Sequence, residues 1–272
     1  MGRHSTRFLI GTSGWSYPHW HGPFYPRDMR HGCELAYYAG HFDSVEINST
    51  FYRLPDRSML RTWRDAVPGD FVFAVKASRY ITHMKKLSAP GAALKTFFRR
   101  IEALGDKLGP VLFQLPPHWH CNPQRLASFL GSLSSHFRYA FEFRDQSWLT
   151  CEIYELLARR NAGLCIYELG KFRSPILVTS KLVYVRLHGP SAPYQGCYDR
   201  HALARWAKRI RAWSSEGQSA CCYFDNDQLA YAALNARDLA RRLASANPGA
   251  SARAAAAPSS SGGRASRLPA PT

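Results

Sequence analysis

The sequence predicts an α/β protein that folds as a single closed (β/α)8 barrel. Eight short segments rich in β-branched and aromatic residues recur along the chain, and amphipathic helical patterns occupy most of the gaps between them. Strands that alternate with helices in this way form parallel sheets. In several strands one set of alternate residues is apolar, whereas the other set turns polar near the strand end. An open parallel sheet has apolar residues on both faces, so this asymmetry favours a barrel.

Length and composition agree with one barrel domain followed by a tail. The chain has 272 residues, of which 46% are hydrophobic and 13% aromatic, enough to bury a sizeable core. We assign residues 1–244 to the barrel. Residues 245–272 consist mainly of Ala, Ser, Pro and Gly and contain no acidic residue, which predicts a disordered tail because such a segment buries too little apolar surface.

The predicted strands cover residues 8–12, 44–48, 71–76, 110–115, 139–143, 163–167, 182–187 and 220–224. Three of the intervening helices have a recognisable N-cap, at Asp56, Asn122 and Asp199. A further helix is expected from Gln228 onward. We expect the first of these helices to bury Met59, Leu60, Trp63 and Val67. The segment 168–181 is short and contains Pro175, so this crossover is expected to lack a full helix.

The alternation also predicts where polar side chains lie. Residues two apart on a strand share one face, and in a barrel that face is either the lumen or the helix layer. The polar set is Glu46, Asn48, Lys76, Gln114, Glu142, Arg144, Arg186 and His188; the opposite set contains Val45, Ile47, Phe73, Val75, Phe113, Phe141, Phe143, Val183, Val185 and Leu187. Barrel active sites lie at the carboxyl ends of the strands, so the polar set is expected to surround the lumen at a catalytic mouth.

Glu46, Glu142 and His188 are the candidate catalytic residues. A carboxylate is costly to bury unless it is paired or used, and histidine exchanges protons near neutral pH. An alternative stays open at this point, namely an ion-paired plug in which Glu142 pairs with Lys76 or Arg144.

Lys76, Arg144 and Arg186 come from three strands around the axis and suit a carboxylate or phosphate ligand, unless they are paired internally with Glu46, Glu142 and Asp225. The other candidate substrate-binding residues are polar or aromatic side chains at strand ends and in the following loops: Asn48, Gln114, Asp225, Trp15, Tyr52, Trp148, Tyr194 and Tyr198.

Metal and cofactor signals are weak. Glu46, Glu142, His188 and Asp225 make a conceivable mixed oxygen and nitrogen site for a divalent metal, but no H-E-x-x-H spacing supports it. We interpret His19 and His21 in their aromatic loop, like His118 and His120 in theirs, as ordinary loop residues. No glycine-rich nucleotide motif is present, so no cofactor is predicted.

The net charge indicates the kind of partner, and the cysteine pattern indicates the cellular compartment. The formal net charge is +17, which favours anionic partners, either a small molecule or nucleic acid. The seven cysteines include no C-x-x-C pair, which is typical of reduced thiols in the cytoplasm. No segment resembles a secretory leader or a membrane-spanning helix, so a cytoplasmic location and no membrane partner are expected.

Seven motifs, taken together, resemble those of the DUF72 family, also called YecE-like proteins. They are GTSGW (11–15), VEINSTFYR (45–53), FAVKASRYITH (73–83), LGPVLFQLPP (108–117), FEFRDQSW (141–148), VYVRLHGP (183–190) and YFDND (223–227). The resemblance covers about residues 8–243 and implies a TIM barrel. It implies no particular reaction.

From these residues we expect an enzyme that binds an anionic substrate, such as a phosphate ester, at the barrel mouth. Carboxylate and histidine acid–base chemistry there suits hydrolysis or isomerisation. Two alternatives remain: a nucleic-acid binding protein without turnover, and a metal-dependent nucleic-acid phosphodiesterase.

Overall fold

The structure is a computed structural model that describes residues 8–245. The predicted tail therefore lies outside the described residues, except for Ser245, which follows the last helix. Within the described range the elements are, in chain order, β1 (Phe8–Thr12), α1 (Glu34–Ala39), β2 (Ser44–Ile47), α2 (Arg57–Asp65), β3 (Val72–Lys76), α3 (Gly91–Ile101), β4 (Leu108–Gln114), α4 (Pro123–Gly131), β5 (Tyr139–Glu142), α5 (Cys151–Arg159), β6 (Gly163–Leu169), β7 (Phe172–Arg173), β8 (Leu182–Leu187), α6 (Arg200–Ser215), β9 (Ser219–Phe224) and α7 (Tyr231–Ala244).

Eight parallel strands form a nearly closed barrel, as the sequence predicted. Their order is β1-β9-β8-β6-β5-β4-β3-β2, and a parallel bridge between Ser13 and Glu46 joins the two ends of this path. The amide N–H of Gly14 donates to the carbonyl of Glu46 at 2.8 Å across the same junction. The short β7 was not predicted; it pairs antiparallel with β6 and lies off the barrel path.

The predicted helix starts are confirmed where a side chain caps the backbone. Asp56, Asn122 and Asp199 accept hydrogen bonds from the third residue after each cap, which satisfies amide groups that have no partner within the helix. The expectation for Met59 is wrong, because its side chain is 47% exposed while the adjacent Leu60 is fully buried. No α-helix lies between β6 and β8, as Pro175 suggested.

Strand alternation separates two hydrophobic layers. The apolar set of residues, including Phe73, Val75, Phe141 and Val185, packs with the helices in a large outer cluster. A second, smaller cluster contains alternate residues from seven strands: Leu9, Ala74, Leu112, Ala140, Cys165, Tyr167, Leu182, Tyr184, Cys221 and Tyr223. This inner cluster fills the lumen, and the polar residues predicted to share its face continue it toward the carboxyl ends of the strands.

Candidate functional site

Arg186 is the centre of a buried polar network in the lumen. It lies on β8, two residues after Tyr184 of the inner cluster, and its side chain is fully buried. One terminal nitrogen donates to Glu142 at 2.9 Å, and the other donates to Glu46 at 2.7 Å and to Asp225 at 3.3 Å. A single guanidinium therefore links carboxylates that three different strand ends bring to the axis.

The two glutamates predicted to be catalytic have no free oxygen. In Glu46, Oε1 also accepts from Ser13 Oγ at 2.5 Å, and Oε2 accepts from the Tyr184 hydroxyl at 2.7 Å. In Glu142, Oε1 accepts from Gln114 at 2.9 Å and from Arg144. Burial raises the pKa of Glu142, but the charges of Arg144 and Arg186 outweigh it and hold this pKa well below its ordinary value. Glu142 is thus ionised at neutral pH, and protein groups donate hydrogen bonds to both of its oxygens.

His188 forms a dyad with Asp225 at the carboxyl end of the lumen. Its Nδ1 lies 2.9 Å from Asp225 Oδ2, and its Nε2 lies 3.0 Å from Arg144 Nη2 and 3.2 Å from Arg186 Nη1. The same Nε2 lies 3.4 Å from Glu142 Oε1, so carboxylates face both ring nitrogens of His188. Burial raises the pKa of Asp225, but the His188 hydrogen bond and Arg186 outweigh it and lower the pKa below its ordinary value. The result is an imidazole held between ionised carboxylates and two guanidinium groups.

Lys76 differs from the two arginines in its surroundings. Its side chain is only 6% exposed, yet within residues 8–245 its ammonium has no ion pair and no hydrogen bond. It lies over the ring of Phe51, 4.2 Å from the centroid. Burial and then the charge of Arg186 lower the pKa of Lys76 to about 8, and the charges of the three lumenal carboxylates oppose this shift only in part. Lys76 is therefore a buried cation that the described residues do not neutralise by direct contact.

The remaining predicted residues divide between the mouth and the outer layer. Tyr194 places its ring edge-on to His188, with centroids 5.6 Å apart, and is half exposed; Tyr52 is largely exposed beside Phe51. Asn48 directly follows β2, and its side-chain oxygen is buried without a hydrogen bond. By contrast, three of the predicted aromatic residues are buried in the outer hydrophobic cluster: Trp15, Trp148 and Tyr198.

Two residues of the network were not singled out from the sequence. Ser13 bridges Glu46 and Arg186, and Tyr184 donates to Glu46. Strand alternation could have identified both residues as lumenal. Tyr184 precedes Arg186 by two residues, and Ser13 lies two residues after Gly11 in the first motif, so each shares the lumenal face of its strand.

The described residues do not favour a metal among the lumenal acids. The Arg186 guanidinium contacts Glu46, Glu142 and Asp225 directly, and a cation already in that position opposes a second one. What the arrangement supplies instead is a histidine held by a carboxylate and contacted by Arg144, with Lys76 as a second cation at the mouth. Such a set can bind an anion and transfer a proton beside it.

No helix within residues 8–245 is long and apolar enough to cross a membrane.

Comparison with known proteins agrees with the motifs. The family model for "Protein of unknown function DUF72" matches residues 9–260. The chain is 33% identical over 139 residues to UPF0759 protein YecE of Escherichia coli K12, a match that spans 50% of this chain and 47% of that protein. The chain thus matches about half the length of that relative. UPF0759 protein YunF of Bacillus subtilis is 24% identical over 267 residues, covering 86% of this chain and 94% of YunF.

Solved structures show the same architecture. A DUF72 family protein from Thermotoga maritima superposes with a TM-score of 0.77 at 27% identity, covering 87% of this chain and 98% of that one. A DUF72 family protein from Enterococcus faecalis superposes with a TM-score of 0.76 at 20% identity, covering 87% and 95% of the two chains. The family match extends over most of the chain and the fold agrees with it, so this protein belongs to the DUF72 family.

Proposed function

We propose that this protein is an enzyme that binds a small anionic substrate at the carboxyl end of the barrel and transfers a proton to or from it with His188. Hydrolysis and isomerisation are the reaction classes that this equipment suits. The observation that carries the proposal is Lys76, a lysine only 6% exposed whose ammonium has no ion pair within residues 8–245. A buried charge without a partner is costly, so a ligand that supplies the missing negative charge is favoured.

Other cations reinforce the positive potential around Lys76. Burial and then the charges of Lys76, Arg79 and Arg144 lower the pKa of His83 to about 4. His83 is therefore neutral at physiological pH, and three cations lie close enough to influence it. Phosphate and carboxylate groups are the ligands that such a combination of lysine and arginine recognises, with arginine supplying a bidentate contact.

His188 is the group that we assign to proton transfer. Its Nε2 lies within hydrogen-bond distance of Arg144 and Arg186, and Asp225 contacts the opposite nitrogen. Arg144 lies at the edge of the mouth, with a side chain 10% exposed, whereas Arg186 is fully buried. An anionic substrate attracts the Arg144 guanidinium, so Nε2 loses one of its two guanidinium contacts and can exchange a proton with the substrate.

Glu46 and Glu142 act in this proposal as positioning residues. Each holds one terminal nitrogen of Arg186, and Glu142 also holds Arg144. They fix the two guanidinium groups that contact His188. Their role is therefore indirect, in contrast to the direct proton transfer considered from the sequence alone.

The test compares Lys76→Met with Lys95→Met, which removes the same charge from the exposed surface of α3. We measure thermal shifts with inorganic phosphate and with a pool of sugar phosphates and carboxylic acids, and we follow the pool by mass spectrometry for turnover. Stabilisation by an anion is expected in the wild type and in Lys95→Met and not in Lys76→Met. His188→Gln is expected to bind the same compound without converting it. Equal stabilisation of Lys76→Met and the wild type contradicts the proposal.

Nucleic-acid binding without turnover is a second candidate, and α6 favours it. This helix contains Arg200, Arg205, Lys208, Arg209 and Arg211 and no acidic residue. Arg205 and Arg209 line a cleft of about 240 Å³ on the outside of the barrel, where the crossover between β6 and β8 lacks a helix. Arg173 and Glu168 also line this cleft and pair with each other at 3.3 Å. Clustered arginines beside an open cleft suit a phosphate backbone.

This candidate is tested by the salt dependence of binding to a short fluorescent single-stranded oligonucleotide. The affinity should fall by orders of magnitude between low and moderate salt if several phosphates are contacted. The double variant Arg205→Gln with Arg209→Gln should reduce both affinity and salt dependence. A matched control is Lys95→Gln with Arg99→Gln, which has the same spacing on α3. If both double variants bind equally, α6 is not the binding surface.

A further inference from the structure

Three potential metal ligands converge at the connection between β1 and α1. His21 follows a single turn of 3-10 helix, His31 lies ten residues later in the connection, and Glu34 is the first residue of α1. Their donor atoms all lie within 4.8 Å of one another. This cluster is separate from the Arg186 network, and no step of the proposed function uses it.

The distances within the cluster suit coordination better than hydrogen bonding. Glu34 Oε1 lies 3.4 Å from His31 Nδ1 and 3.8 Å from His21 Nε2. A nitrogen–oxygen hydrogen bond is shorter, about 2.7 to 3.2 Å. In a tetrahedral zinc site with bonds of about 2.0 to 2.2 Å, neighbouring ligand atoms are about 3.3 to 3.5 Å apart. The Glu34–His31 pair already has this separation. The Glu34–His21 pair is 0.4 Å longer and the donor atoms of the two histidines lie within 4.8 Å, so coordination requires a side-chain movement.

Glu34 is held in place as metal ligands commonly are. Its Oε2 accepts from the Gly32 amide at 2.6 Å, which leaves Oε1 directed toward the two histidines.

The three side chains differ in solvent exposure, which affects how each can reach a metal ion. Glu34 and His21 are mostly buried, with side chains 11% and 19% exposed, whereas the His31 side chain is 96% exposed. The His21 ring packs near Tyr25, with centroids 5.5 Å apart. Two ligands are thus fixed by packing, and the third is free to rotate onto an ion and leave a coordination position open to solvent.

We propose that His21, His31 and Glu34 bind one Zn²⁺ ion in a tetrahedral site whose fourth ligand is water. Two histidines and one glutamate are a common set of protein ligands for zinc with an open position. The ion joins the irregular β1–α1 connection to the helix that follows it, so binding stabilises this part of the fold. This inference does not depend on the proposed function of the barrel mouth.

The test uses Co²⁺ as a spectroscopic probe, followed by displacement with Zn²⁺. One equivalent of Co²⁺ should give the strong visible absorption of tetrahedral coordination, and Zn²⁺ should abolish it. His21→Ala, His31→Ala and Glu34→Gln should each weaken the affinity by at least about tenfold, because each removes a direct ligand. Glu34→Gln keeps an acceptor for the Gly32 amide, and His31 is exposed, so these two variants should remain folded.

Two controls decide between this site and adventitious binding. His19→Ala removes a neighbouring histidine that contacts Asp227 instead, and Cys33→Ser removes an exposed thiol next to Glu34. Both should bind Co²⁺ and Zn²⁺ like the wild type. Zn²⁺ should also raise the melting temperature of the wild type and not that of His31→Ala. Loss of binding in Cys33→Ser, unchanged binding in the three ligand variants, or a spectrum typical of octahedral Co²⁺ overturns the proposal.

Discussion

The deep and shallow parts of the polar lumen use the same residue types in different ways. At the deep level, Arg186, Glu46, Glu142 and Tyr184 are fully buried, and each has a charged or hydrogen-bonded partner. At the shallow level, Lys76 is nearly buried but has no ion pair within residues 8–245, and Arg144 contacts Glu142 at the edge of the mouth.

This difference separates a structural role from a binding role. A buried cation surrounded by carboxylates is already neutralised and therefore contributes little to the binding of an anion. Its removal leaves buried carboxylates unpaired and destabilises the protein. A buried cation without a counter-ion destabilises the free protein and becomes favourable when an anion binds. Exposure alone does not distinguish the two, because both Arg186 and Lys76 are buried.

The largest expected effect concerns the deep level. Arg186→Met should reduce the free energy of unfolding by about 3 to 5 kcal/mol, because Glu46, Glu142 and Asp225 lose a shared counter-ion. The measurement is urea denaturation at neutral pH. Arg205→Met, which removes an exposed arginine from α6, is the control and should change stability by no more than about 0.5 kcal/mol.

The loss in Arg186→Met should shrink in acid. Arg186 contributes to lowering the pKa of Glu142 in the wild type, so the stability from this pairing is present above the ordinary glutamate range and is lost as pH falls below it. A variant within about 1 kcal/mol of the wild type at neutral pH would show that the network is not needed for folding.

The next effect concerns Lys76 and pH. Because its pKa is lowered from 10.5 to about 8, the unfolded chain binds more protons than the folded protein between these values. Stability attributable to Lys76 should therefore rise with pH across this window, by about 3 kcal/mol in total. Buried tyrosines also titrate at high pH, so the quantity to measure is the difference in unfolding free energy between the wild type and Lys76→Met.

The unfolding free energy of the wild type minus that of Lys76→Met should increase as pH rises from about 8 to 10.5. Lys95→Met should show no such change relative to the wild type, because Lys95 is exposed on α3. A pH-independent difference for Lys76→Met means that the ammonium has a counter-ion in solution, which removes the main support for the proposed anion site.

The smallest effect tests one tyrosine hydroxyl in each part of the lumen. Tyr184→Phe should cost about 1.5 to 3 kcal/mol, because it removes the donor to one oxygen of the buried, charged Glu46. Tyr194→Phe removes the same hydroxyl from a half-exposed ring at the mouth and should cost no more than about 0.5 kcal/mol. Chemical denaturation of the two variants side by side measures the contrast. Equal losses would mean that the two tyrosines do not differ in the way their burial indicates.

The alternation of residues predicted much of this architecture because side-chain direction on a strand has a strict period of two. Arg186 and His188 had to share a face with Tyr184, and Val185 and Leu187 had to share the opposite one. The barrel followed from that asymmetry, and the caps at Asp56, Asn122 and Asp199 followed from the hydrogen-bonding capacity of their side chains. Met59 was misplaced because helical periodicity near a helix start allows more than one neighbouring residue to face the core.

The sequence alone therefore determined which residues face the lumen, but only the tertiary structure decided which of them are partners. Lys76, Arg144 and Arg186 are equivalent in strand pattern, yet Arg186 contacts carboxylates from β2, from β5 and from the residue after β9, while Lys76 contacts the ring of Phe51. Likewise, His21 and His31 lie in an irregular connection with no periodicity to relate them. Whether two side chains pair depends on the distance between them across the barrel or within a loop. Closure of the barrel and the path of each loop set these distances, and the local periodicity of the sequence does not encode them.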